Sequence, residues 1–544
     1  MSGKTPAYMV QLVQLSGLEM NAYLVLEEKP NRQEQKLKTL SNYVQQYPSG
    51  WKKRLELADR LYSSGQWQQA VQEYRQVLVR QPRLMDVCLQ LGKILHLMGN
   101  NTEAIAAYQN ALPLSHHIST QQHINGLIEA CRDRPFTAVQ LFSCAASAEP
   151  DNPAHWYALA QVHLDAESPV AALRAFEAVL SLNPDDAVAL SQSCPLLLVS
   201  GNFQEAERRL ERTIELAPND CRAIELLATY RCHRGLISGD EGKHTKQLIK
   251  AALALTPNSA SAHQVLSFYH LCRGERDKAI ALLLEFTQAH PKSPNGWYHY
   301  ARCLFHTSNS QAAADAILKA YALYQKDSEI YRALCEILPA AGRLEEFRIN
   351  SPDASFNKGG QEHQPIETTS PSLIEEMLER FPHRWSIWVT AGRVLVETFK
   401  DCDRGCVLSA KGPQLQPDLA DAWFRHGRVL ALAGRHQEAV EVMLRGWECL
   451  SEGGYVRSLP AVAWLAESYR ELGEEAKSRR WWEAALHLAK TLKEFNPVTA
   501  DYWQGKVLLA LGDRSGAKQA YRKALSEQLF YPARSEVKDV LKHL

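Results

Sequence analysis

No stretch of the 544-residue chain approaches the roughly eighteen continuous apolar residues that a membrane span requires. The most apolar N-terminal run, Ala7 to Leu26, is broken by Gln11, Gln14, Glu19 and Asn21, and neither a basic leader nor a cleavage site accompanies it. Membrane insertion and a signal peptide are therefore not expected. Net charge is missing as well: 61 basic side chains balance 61 acidic ones, which argues against a general nucleic-acid binder. The twelve cysteines lack regular spacing and read as reduced, small packing residues, an arrangement that favours the cytoplasm. Cys402 and Cys406, in CDRGC, could share a helix side, but no second pair or nearby histidine completes a four-ligand zinc site. His116 and His117 follow a second helix and read as a solvated turn. There is no GxxxxGK[ST] loop, GxSxG elbow, HExxH or dinucleotide fingerprint, and no convincing strand to support one. No catalytic residue, metal or cofactor is expected.

What the chain has instead is a period. Ala70, Ala104, Ala138, Ala172 and Ala206 follow one another at a spacing of 34 residues. An aromatic or large apolar residue stands four positions after each (Tyr74, Tyr108, Phe142, Phe176, Leu210), and a proline often twelve after (Pro82, Pro150, Pro184, Pro218). If the alanine is position 20, position 8 is also small: Ala58, Gly92, Gly126, Ala160 and Cys194, then Ala228, Ser267 and Ala301. Two small residues at fixed phase are what two touching helices require. Position 15 often holds glycine (Gly65, Gly99, Gly201, Gly274), which accepts the left-handed conformation that ends a first helix.

This pattern resembles the tetratricopeptide-repeat family. The resemblance implies an all-α fold, an α-solenoid in which roughly twelve to fourteen helical hairpins wind into a right-handed superhelix, here in two lobes. Residues 1–50 read as a degenerate N-terminal unit, with a second helix from Asn31 to Pro48 and Met20 to Leu26 as part of its partner, and residues 51–349 as the first lobe. Extra residues around Gly235 to Gly242 lengthen one inter-helix turn. Residues 350–372, polar and rich in breakers, read as a loop or linker; 373–534 form the second lobe, and 535–544 a capping helix with Ser535 as its cap.

In relatives of this kind the concave surface is lined by the first helices, especially positions 2, 5, 9 and 12. Position 5 includes His123, Tyr157, Glu225, Tyr298, Phe424 and Tyr502; position 9 includes Arg302, Glu336, Arg393, Arg428, Glu467 and Lys506. Tyr298 with Arg302, Phe424 with Arg428 and Tyr502 with Lys506 each set an aromatic four residues before a cation, on one helix face. These residues, with Tyr157 and Arg393, are the expected binding set for an extended peptide carrying acidic groups or a free carboxylate. The plainer possibility is that an arginine stem at position 9 merely covers apolar neighbours. The lysine and asparagine pair of chaperone-tail binders and the asparagine ladder of the sugar-transferase relatives are both missing. The expected function is a non-catalytic scaffold for protein partners; the alternative is a recognition or regulatory subunit for an enzyme on another chain, serving glycosyl transfer, proteolysis or secretion. The oligomeric state is left open.

Overall fold

The computed structural model describes residues 30–348, 372–450, 458–530 and 532–544. Within them the chain is all-α: helices follow one another in hairpins, beginning with Trp51–Ser63 and Trp67–Arg80 and ending with Pro497–Ala510 and Arg514–Ser526. The 34-residue period is the length of one hairpin plus its two turns.

The small residues lie where the helices meet. Ala70, Ala104, Ala138, Ala172 and Ala206 are each 0% exposed. A methyl group added at Gly92 would stand 2.5 Å from the Tyr108 ring, and one at Gly126 would stand 2.7 Å from Phe142. Position 8 is small because the large side chain at position 24 lies across it. Where position 8 is polar, the contact is a hydrogen bond: Ser267 Oγ donates to the carbonyl of Ala279, its partner at position 20, at 3.1 Å.

Position 15 takes the left-handed conformation whether or not it is glycine. Gly99 has φ 77° and Gly274 also 77°, but the same turn is made by Asp133 at 57°, Glu167 at 54° and Ser308 at 70°. The turn geometry is imposed by the two helices, which must fold back on one another, and three repeats adopt it with a Cβ in place.

Hairpins are joined by a bond that the spacing alone did not suggest. Trp156 Nε1 donates to the Pro150 carbonyl at 2.8 Å, Trp297 to Pro291 at 2.9 Å, Trp388 to Pro382 at 2.9 Å and Trp423 to Pro417 at 2.7 Å. The proline ends a second helix and its free carbonyl is captured by the first turn of the next hairpin.

The described residues fall into two compact units. One takes in the residues up to Tyr230 and Lys243–Ala262; the other takes in Arg231–Gly242 and His263–Leu544. In the first, Leu57, Tyr74, Ile94 and Tyr108 belong to one continuous core and Phe142, Phe176 and Leu190 to another. In the second, Phe305, Ile317, Tyr331, Leu334, Ile374 and Ile387 belong to one core, and Phe424, Met443 and Leu465 to another. Of the stretch expected to lengthen a turn, Gly235 to Ser238 lie between the helices Cys221–His233 and Gly239–Leu255, whereas Gly239 to Gly242 form the first turn of the second helix. The N-terminal helix runs Pro30–Gln46, whereas its expected partner around Met20 to Leu26 and the linker, apart from Ser372, lie outside the described residues. The final helix runs Ala533–His543 and no side chain caps it, so Ser535 stands inside the first turn instead of serving as the expected cap.

Candidate functional site

The position-9 residues of neighbouring repeats in the second unit reach one another. Arg302 Nη1 donates to Glu336 Oε2 at 2.5 Å. Glu336 in turn feels the positive charge of Arg393, whose own guanidinium donates to Glu397 at 2.7 Å. Farther along, Glu467 stands between two cations, accepting from Arg428 at 3.3 Å and facing Lys506 Nζ at 3.7 Å. The result is two groups along the first helices in which cations and carboxylates alternate in chain order: Arg302, Glu336, Arg393 and Glu397, then Arg428, Glu467 and Lys506. Burial acts to raise the Glu336 carboxyl, but the Arg302 charge and hydrogen bond more than offset it and leave the group below its ordinary value. The Arg302 side chain is 13% exposed and that of Glu336 25%, so the pair is held by its surroundings yet open to water on one side.

The cation stems also lie on rings. The Arg428 guanidinium is 5.5 Å from the Trp464 ring centre, Lys506 Nζ 5.4 Å from Trp503, and Arg302 5.8 Å from Phe305. These contacts fix long side chains that would otherwise lose rotamer freedom on binding.

The aromatic members of the expected set are placed differently. Tyr298 is 5% exposed, Phe424 4% and Tyr502 2%: their rings belong to the packed interior, and the cations are the members of each pair that water reaches. The Tyr502 hydroxyl donates to Glu536 of the final helix at 3.0 Å. Tyr157, in the first unit, is half-buried and donates to Asp186, whose carboxylate accepts from the Ala189 amide at 3.0 Å and so caps the next helix. Tyr157 and Tyr502 each tie their own repeat to the following helix.

The first unit holds a polar cluster that its sequence did not single out. His123 and His155 face each other Nδ1 to Nδ1 at 3.0 Å, and His155 Nε2 lies 3.3 Å from Glu149. Glu149 also accepts from Ser119 and, at 3.3 Å, from Asn152. Two nitrogens in that position share a single proton. Burial, with the nearby His155, lowers His123 to about 4. The available signal was the histidine at position 5 with another 32 residues on, close to one repeat length.

His116 and His117 are exposed in the turn before Ile118–Cys131. Cys406 is buried and Cys402 half-buried; among the described residues no group of three histidine, cysteine or acidic side chains could hold a metal ion. All twelve cysteines are free thiols, and burial pushes Cys194, Cys272 and Cys335 up to about 12. No described helix is long and apolar enough to cross a membrane.

Profiles of the tetratricopeptide repeat match residues 163–229, residues 55–116, 137–187 and 269–328, and residues 499–528. With their paired helices in this phase, these segments are tetratricopeptide repeats. Protein O-mannosyl-transferase TMTC3 of Homo sapiens is 25% identical over 222 residues, which is 40% of this chain and 24% of that protein, so the chain matches about a quarter of the relative's length. The crystal structure of yeast Tom70 aligns over 79% of this chain and 97% of that one, with 14% identity and a TM-score of 0.39.

Proposed function

We propose that the chain is a non-catalytic scaffold that binds protein partners or extended peptides along the row Arg302, Arg393, Arg428 and Lys506, and that the favoured partner segment carries acidic side chains or a free carboxylate. The observation behind this reading is the row itself: four cations interleaved with Glu336, Glu397 and Glu467, all held in fixed geometry. A site of this kind is preorganised. An incoming carboxylate can share these guanidinium and ammonium groups with the internal carboxylates, and those internal bonds keep the side chains from collapsing when the site is empty. The twelve cysteines are free thiols, which supports a reducing compartment, and the cytoplasm is the location proposed on that ground.

A second reading, in which the repeats recognise substrate for an enzyme on another chain, is favoured by the likeness to a protein O-mannosyl-transferase over part of its length. One experiment tests both. The tagged chain and a variant with Arg302, Arg393, Arg428 and Lys506 changed to methionine are used for affinity capture and read by mass spectrometry, after circular dichroism has established equal folding. Methionine keeps the stem and removes the charge. Loss of acidic partners from the variant alone is the expected result; the same partners on both chains would sink the proposal. An enzyme among the lost partners would select the second reading.

A further inference from the structure

The two ends of the second unit touch. The Phe530 ring lies edge-on to Phe268 at 6.1 Å and 5.8 Å from His306, and it packs on the cluster of Leu271, Leu283 and Cys303. Beside it, the Gln528 amide covers Gly274 so closely that a Cβ there would meet it at 2.9 Å. A second contact follows the same line: Phe495 stacks on His233 at 6.5 Å, and His233 on Phe268 at 4.6 Å. Phe268 occupies position 9 of its repeat, and His306 stands one helical turn beyond Arg302. The seat that holds Phe530 is therefore the continuation of the cation row, at its N-terminal end.

The contact is attractive in its apolar part and opposed elsewhere. Gln528 adopts φ 69°, a left-handed conformation that a residue with a Cβ takes at a cost. Arg534, which donates to the carbonyls of Leu529 at 3.3 Å and Leu525 at 3.4 Å, sits within reach of the Arg276 charge. Burial and that repulsion together hold Arg534 below the ordinary arginine value. The apolar plug is thus set against like charges and a left-handed turn, which act against the contact.

We propose that Phe530 is a latch: it occupies in cis a seat for a bulky apolar side chain at the end of the recognition row, and its release opens that end to a partner segment bearing an aromatic residue. The opening step stands on the contacts above; only its use by a partner rests on the reading of the row as a recognition face.

Hydrogen exchange on the full chain, with no partner added, tests the opening step. In Phe530→Ala, amides of Ala260–Cys272 and Pro294–His306 should exchange about tenfold faster or more, while those of Trp51–Arg80 stay unchanged. Phe530→Leu, which refills the seat, should restore slow exchange. Arg276→Gln removes the repulsion and should slow exchange at the same helices; added salt should slow it in the wild type and have no such effect in Arg276→Gln. Unchanged exchange in Phe530→Ala, or faster exchange in Arg276→Gln, would overturn the latch. Should Phe530→Ala unfold throughout, the Arg276→Gln comparison decides alone. Because no partner is present, failure here is separate from failure of the capture experiment.

Discussion

Ser308 is exposed, carries φ 70°, and fills the place that Gly65, Gly99, Gly201 and Gly274 fill elsewhere. A Cβ in the left-handed region costs about 1–2 kcal/mol, against which glycine's extra freedom in the unfolded chain takes back about half. Ser308→Gly is therefore expected to stabilise the second unit by about 0.5–1 kcal/mol, seen as a higher urea midpoint with an unchanged slope. Gly99→Ala should do the reverse, since it puts a Cβ into the same strained conformation. If both substitutions were neutral, the turn would be relaxing away from the geometry described here. The position-20 alanines were legible in the sequence for a related reason: a residue that must be small leaves a periodic trace, and all five are fully buried. Tyr298, Phe424 and Tyr502 were legible only in part. Spacing puts each on the same helix face as a cation, but a ring at position 5 can turn outward or into the next repeat, and sequence spacing does not distinguish the two.

At the scale of the element, the bond from tryptophan to the preceding proline carbonyl was present in the sequence as a constant spacing of six, in Trp156, Trp297, Trp388 and Trp423, and its meaning emerges only when the helix ends are seen in space. Trp297→Phe keeps most of the ring, over which Lys319 Nζ lies at 4.3 Å, and removes the donor. The expected loss is about 0.5–1.5 kcal/mol, with the Pro291 carbonyl left to water. Trp67 supplies the comparison, because its indole nitrogen is buried with no hydrogen-bond partner. Trp67→Phe should be close to neutral. Denaturation of the two variants side by side checks the pair, and equal losses would assign the effect to ring size and not to the bond. The pairing of Arg302 with Glu336, one repeat apart, was beyond the sequence for a similar reason: position 9 was identifiable in each repeat, but which neighbours meet depends on how far each hairpin is rotated on the last.

At the scale of the whole molecule, buried histidines set the acid side of stability. Burial lowers His123 to about 4 in the first unit, and His299 and His426 to about 4 and His233 to about 3 in the second. An unfolded chain takes up these protons near pH 6.5, whereas the folded chain resists them until pH 4 or below, so the unfolded state binds more protons across that window. Stability is then fully present above about pH 6.5 and falls as the pH drops toward about 4. Asp327, which burial raises to about 6, works the other way, as do Asp220 and Glu527, whose carboxyls burial also raises; five histidines, His163 among them, are lowered against these three. His426 also accepts or donates at 2.8 Å to the buried Ser409 hydroxyl, a bond that charging the ring would force to rearrange. His233, His299 and His426 lie in the second unit and His123 and His163 in the first, so helices such as Pro294–His306 and Ala420–Leu432 should lose exchange protection before Trp51–Ser63 does when the pH is lowered from about 7.5 to about 5. His426→Gln should narrow that gap, because glutamine can keep a hydrogen bond to Ser409 and binds no proton in this range. A denaturation midpoint that stays level between those two pH values would mean that the folded chain takes up protons as readily as the unfolded one, and that these rings are not buried in solution as they are in this structure.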